Sequence, residues 1–146
     1  MIEIKIGDCT QRLKDLEDCS VDAIICDPPY GLKFMSKGWD DIGDGSQQRE
    51  WHRAWLKEAH RVLKPNGVLK AFSGTRTFHH LIAMVEEIGF ASIRIEAWTY
   101  GSGFPKSHNL SKKFEKRGDV EEAQTWGGWG TALKPSWEPV CIGIKK

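Results

Sequence analysis

The stretch Ile24-Ile25-Cys26-Asp27-Pro28-Pro29-Tyr30-Gly31 restricts the possible folds more than any other part of the sequence. An apolar run, Val21 to Cys26, meets an acid and two prolines. Proline lacks an N–H and fixes φ, so it ends a strand and stiffens the chain beside it. Asp27 and Tyr30 are therefore expected on a rigid turn at the carboxyl end of a strand, where open α/β sheets bind ligands.

The rest of the chain alternates strand and helix patterns. Ile2, Ile4 and Ile6 alternate with Glu3 and Lys5, which predicts a short strand with one polar face. Thr10 is placed to cap a helix reaching Leu16, so Ile2–Ile6 and Val21–Cys26 would be parallel strands joined by a crossover. Leu32–Gln48 is polar, rich in Gly and Asp, and reads as a long loop. A helix follows over Arg49–Leu63, with Trp51, Trp55, Ala59 and Val62 on one face, and Lys64-Pro65-Asn66-Gly67 stops it. Val68–Phe72 is a third strand. Thr75 or Thr77 caps a helix that buries Phe78, Leu81, Ile82, Val85 and Ile88, with Gly89 as its left-handed terminal residue. Ser92–Tyr100 and Val140–Ile144 read as strands, and residues 101–137 between them as irregular, basic and glycine-rich. This order predicts one α/β domain of three layers.

Hydrophobic residues are 40% of the chain and charged residues 28%, an ordinary soluble balance. No apolar run is long enough to span a bilayer, and the first residues lack a signal-peptide pattern, so no membrane partner and a cytoplasmic location are expected. The four cysteines form no C-x-x-C pair, which argues against a zinc site, and Cys26 and Cys141 lie in apolar runs as core thiols. A net charge of +1 gives no global nucleic-acid signature, so a polyanion would have to be met by a local patch. Of the seven tryptophans, those in glycine-rich sequence either anchor loops on the domain or present a ring for stacking on a base.

Asp27, Pro28, Pro29 and Tyr30 together suit one kind of chemistry. An amino group on an aromatic ring is a poor nucleophile, because its lone pair is delocalised. Acceptors aimed at its N–H bonds favour a more pyramidal nitrogen. The Asp27 carboxylate supplies one acceptor and the stiffly held Pro28 carbonyl another, while Tyr30 offers a flat face for the ring. A base in a duplex must first be flipped out, at a cost of about a few kcal/mol, and stacking returns roughly 1–3 kcal/mol. A positively charged methyl donor in line with the nitrogen would complete the reaction by positioning and electrostatics. The sequence leaves open whether Asp27 also takes the proton.

At these residues the chain resembles the amino-methyltransferases of DNA, of the adenine-N6 or cytosine-N4 type, in the bacterial and prophage group that includes restriction–modification enzymes and places the catalytic half first. The resemblance covers nearly the whole chain. It rests on Gly7-Asp8, Val21-Asp22, Asp27–Tyr30, Gly31-Leu32, Trp39-Asp40, Arg61–Gly67, Phe72–Thr77, Trp98–Asn109 and Gly130–Pro135. It implies a Rossmann-like methyltransferase sheet, S-adenosylmethionine as cofactor and DNA as partner. Asp27 and Tyr30 would bind and orient the base, with backbone from Pro28 and Pro29. Asp8 and Asp27 would approach the cofactor. Lys106, His108, Lys112, Lys113, Lys116 and Arg117 would contact phosphates, unless they form only a solvated face. The aspartate form of the motif favours adenine over cytosine as a preference.

The resemblance also implies a Phe-x-Gly-x-Gly cofactor loop, and this chain has none that fits. Tyr100-Gly101-Ser102-Gly103 follows a strand but leads into basic, non-periodic sequence, and Trp126-Gly127-Gly128-Trp129-Gly130 follows no apolar strand. The expected sheet is therefore incomplete, lacking the first two cofactor-binding strands, which in the resembled fold lie between Ile2–Ile6 and Val21–Cys26. A second chain or self-association could fill that gap. The competing reading is a catalytically incomplete, nucleic-acid-binding remnant that needs a partner chain.

Overall fold

A computed structural model of the chain describes residues 2–33, 38–101, 107–131 and 136–146. It divides into two compact units: one of residues 1–98 and 138–146, the other of residues 99–137.

In the first unit the strands are β1 (Val21–Cys26), β2 (Leu63–Phe72), β3 (Phe90–Thr99) and β4 (Trp137–Lys145). They form one sheet in the order β1-β2-β4-β3. β1 and β2 are parallel, and β2 and β4 antiparallel. The helices are α1 (Cys9–Arg12), continued by a 3-10 turn over Leu13–Asp15, α2 (Gly45–Val62) and α3 (Phe78–Ile88). α2 carries the crossover between the parallel strands. It buries Gln48, His52, Trp55, Leu56, Ala59 and Val62, a stripe at steps of three and four. Of these, Trp55, Leu56 and Ala59 meet Leu69 and Ala71 of β2, Leu81, Met84 and Val85 of α3, and Cys141 of β4 in one core. Leu56 is fully buried, which by transfer is a contribution of about 1.5–3 kcal/mol.

Several sequence expectations hold with shifted bounds. α2 starts at Gly45 rather than Arg49, because Asp44 and Gln47 close a capping box in which Asp44 N donates to Gln47 Oε1 at 3.0 Å. Gly89 ends α3 at φ +104°, as its position suggested. Lys64-Pro65-Asn66-Gly67 follows the end of the helix but lies within β2: Val21 pairs with Leu63 and Ala23 with Val68, so the tetrapeptide bulges out. The first helix is capped by Asp8, not Thr10.

The expected strand Ile2–Ile6 does not form. Residues 2–6 have no regular structure, and Ile2, Ile4 and Ile6 are 92%, 83% and 91% exposed. The period-2 pattern is present, but a strand needs a ladder partner, and the outer edge of β1 pairs with none among the described residues. Ile25, within that edge strand, is 71% exposed.

In the second unit, the segment expected to be irregular contains two helices, α4 (Leu110–Glu115) and α5 (Val120–Thr125), packed on each other over the buried Ala123. Asn109 caps α4 by accepting from Lys112 N at 3.0 Å. An Asn109–Gly130 bridge, with His108 N donating to Thr131 Oγ1 and Thr131 N to Ser107 Oγ, closes the unit on itself. Among the described residues no helix is long and apolar enough to cross a membrane.

Candidate active site

β1 ends at Cys26, and the chain turns through Asp27, Pro28, Pro29 and Tyr30. The turn is held by groups far away in sequence. The Asp40 carboxylate, buried at 2% exposure, accepts from three successive amides: Tyr30 N at 2.9 Å and Gly31 N at 3.0 Å on Oδ1, and Leu32 N at 3.1 Å on Oδ2. Hydrogen bonds to an ionised acceptor are the stronger kind, and here they fix the backbone that follows the prolines. Thr77 Oγ1 donates to the Tyr30 carbonyl at 2.7 Å. Thr77, expected as a cap for α3, makes no side-chain cap bond and spends its hydroxyl on this turn. Gln48 Nε2 donates to the carbonyls of Gly31 and Gly43 at 3.2 and 2.9 Å, while its buried Oε1 has no hydrogen-bond partner among the described residues.

Two glycines make the approach possible. Gly31 sits at φ +67°, and a Cβ there would lie 2.5 Å from Gln48 Nε2. A Cβ on Gly74 would come within 3.2 Å of Tyr30 Cδ2, so Gly74 lets its loop lie against the tyrosine ring.

Tyr30 is half-buried, and its hydroxyl reaches Glu138 Oε2 at 3.4 Å. Burial, and then the carboxylates of Asp27 and Glu138 beside it, push the phenol pKa well above its ordinary value. The ring is thus a neutral platform with two acids at one end. Asp27 itself is exposed, and no ion pair among the described residues involves it. Its carboxylate takes a side-chain hydrogen bond from the Tyr30 hydroxyl, which couples the acid and the ring at the end of β1. Pro28 and Pro29 are half-buried beside it. Burial pushes the Cys26 thiol up to about 12 and the Cys141 thiol to about 11, so both stay neutral core groups.

Asp8 lies in the same unit, exposed, at the start of α1. Its Oδ1 accepts from Thr10 N at 2.7 Å and from the Thr10 hydroxyl, which lowers its pKa. The basic residues fall in the other unit. Lys112 and Lys113 lie on α4, Lys116 and Arg117 in its C-terminal turn, and all four are exposed, as is His108. Lys106 lies outside the described residues.

Sequence reasoning named the turn but not what holds it. Asp40 and Gln48 lie in the stretch that reads as a loop, and Glu138 lies just before the expected strand Val140–Ile144, in what the structure shows to be the start of β4. The Asp44–Gln47 capping box was the one local signal that α2 begins early enough to bring Gln48 to Gly31.

Comparison with known proteins places these residues in a family. The family profile described as DNA methylase, of the N6 and N4 type, matches residues 21–119. The type II methyltransferase M.HindIII of Haemophilus influenzae is 26% identical over 169 aligned residues, covering 92% of this chain and 55% of that protein. M.HpaI of Haemophilus parainfluenzae is 33% identical over 106 residues, covering 72% of this chain and 34% of that protein. Among solved structures, the PvuII DNA methyltransferase, described as cytosine-N4-specific, superposes with a TM-score of 0.65 at 19% identity over 97% of this chain and 48% of that one. TTHA0409 of Thermus thermophilus, a putative DNA modification methylase complexed with S-adenosyl-L-methionine, gives 0.58 at 15% identity over 96% and 51%. These likenesses show a Rossmann-like methyltransferase fold, and the chain spans about half the length of such relatives.

Proposed function

The chain belongs to the DNA methylase family, and on that premise we propose that it supplies the base-binding part of an S-adenosylmethionine-dependent methyltransferase acting on the exocyclic N6 of adenine in DNA. The observation that carries this reading is the exposed Asp27 carboxylate on a proline-stiffened turn at the end of β1, beside a neutral Tyr30 ring.

A target base flipped from the duplex would stack on Tyr30, which recovers roughly 1–3 kcal/mol. Its amino group would donate to Asp27 and to the Pro28 carbonyl. Both acceptors favour a pyramidal nitrogen with its lone pair free to attack. The Asp40 and Thr77 bonds keep Tyr30 and the preceding carbonyl from moving as the base enters, so the geometry is prepared before chemistry begins. Asp8 and Asp27 would face the cofactor. Asp8 and Asp27, both exposed acids, suit a cationic ligand with hydroxyl and amino donors. S-adenosylmethionine, when bound, supplies a methyl group on a sulfonium centre. The exposed cations of α4 and its C-terminal turn, with His108 and Lys106, would take DNA phosphates.

Purified chain, tritiated S-adenosylmethionine and unmethylated duplex DNA test the proposal, with the product nucleosides resolved chromatographically. Label on adenine N6 supports it, and Asp27→Ala is expected to lower transfer by about 10²-fold or more, by analogy with removing one preorganised group at a reacting centre. Transfer unchanged by Asp27→Ala removes this turn from the mechanism. Label on cytosine N4 selects the second reading, favoured by the PvuII likeness, in which the same turn receives the smaller base. DNA binding without cofactor binding in calorimetry selects the nucleic-acid-binding remnant.

A further inference from the structure

In the unit of residues 99–137, two tryptophans stand out of the apolar packing. Trp129 is 62% exposed and Trp126 36%, with ring centroids 6.0 Å apart at 86°. The pair is built rather than loose. Trp126 Nε1 donates to Glu122 Oε2 at 2.9 Å, which fixes that ring to α5. Trp126 N donates to Glu122 O, Trp129 N to Trp126 O at 3.1 Å, and Gly128 takes φ +81° between them. The edge-to-face contact then makes Trp126 a buttress for Trp129. Trp129 O in turn accepts from Leu110 N at 3.0 Å, so the Trp129 backbone is tied to the first residue of α4. Lys112 and Lys113 follow within that helix, and Lys116 and Arg117 end it. None of the four is ion-paired among the described residues. Glu115 and Asp119 temper this charge, and Glu122 is engaged by Trp126.

A large aromatic surface held out to water loses free energy unless a ligand covers it. The cations of the helix to which its backbone is tied select an anionic ligand, and nucleic acid combines a flat face with phosphates. We infer that Trp129 is a base-stacking residue that holds an unstacked nucleobase of DNA while the α4 cations hold the adjoining phosphates. The inference rests on the reading of DNA as substrate, and adds a base contact outside the Asp27–Tyr30 turn. Stacking accepts any base, so the contact contributes affinity without sequence preference.

Fluorescence anisotropy with a labelled single strand of about 12 nucleotides, within the range one stacking groove spans, and with its duplex tests it across a salt series. Trp129→Ala should weaken binding by about tenfold, within the range of stacking losses, and leave the slope of affinity against salt unchanged. Trp129→Phe should restore most of it. Lys113→Ala should instead flatten the slope by about 0.7–0.9, as for one phosphate contact. Wild-type affinity in Trp129→Ala, or loss in Trp129→Phe equal to that in Trp129→Ala with both variants folded by circular dichroism, overturns the inference and leaves the DNA reading standing. Wild-type chain that binds neither oligonucleotide overturns both.

Discussion

Asp40→Asn isolates the carboxylate that holds the motif turn, because it changes charge and one donor–acceptor pair while keeping shape. In the native chain Oδ1 serves Tyr30 N and Gly31 N, and Oδ2 serves Leu32 N. The better amide orientation keeps oxygen on the first two and sets an NH2 against Leu32 N–H. Two charge-assisted bonds become neutral ones, a loss of about 1 kcal/mol each. A part-buried N–H is also orphaned against another donor, for about 1–3 kcal/mol more. Relief of burying a charge at a site only 2% exposed returns part of this, so the net loss is about 2–4 kcal/mol. For a chain of this size that is a fall in melting temperature of about 6–12 °C. Calorimetry measures the shift, and hydrogen exchange locates it: the Tyr30, Gly31 and Leu32 amides should lose protection before the α2 core does. A variant within about 0.5 kcal/mol of wild type, with those amides still protected, would refute the clamp, since ordinary surface substitutions fall in that range.

Other expectations follow from the same contacts. Burial, then the charge of His80, lowers the His52 pKa from 6.5 to about 4. Below pH 6.5 the unfolded chain takes a proton that the native imidazole refuses, so stability should fall by about 1.4 kcal/mol per pH unit from about pH 6.5 to pH 4. His52→Asn keeps an acceptor for Trp55 Nε1, which His52 Nδ1 takes at 3.2 Å, and should flatten that part of the urea-midpoint profile. Gly31→Ala would need φ +67° and a contact with Gln48, and should cost about 1–3 kcal/mol by chemical denaturation. Ile25→Lys, in a strand whose outer edge is unpaired among the described residues, should leave stability within about 0.5 kcal/mol of wild type by chemical denaturation, because the side chain is 71% exposed.

What the sequence made legible is what short-range physics decides. Two prolines after an apolar run end a strand wherever that run sits, and the stripe of α2 and the left-handed Gly89 are equally local. Ile2–Ile6 shows the limit: its alternation is as clean as that of any strand here, yet its isoleucines stand in water, because a ladder needs a neighbour that no local pattern supplies. Helices α4 and α5 escaped for another reason. Each has six residues, fewer than two turns, which is too short for a 3.6-residue period to declare itself. The support of the motif turn lay further still out of reach. Asp40, Thr77 and Glu138 stand 10, 47 and 108 residues from Tyr30, in a polar loop, a helix start and a strand start, and no local pattern ties any of them to the turn. This separation has a chemical consequence. A turn that grips a base by its amine must not yield as the base arrives, and prolines stiffen only two of its φ angles. The rest of the stiffness comes from an acid and a hydroxyl that bond backbone, so they can be found only by asking where the amides and the carbonyl after the prolines obtain their partners.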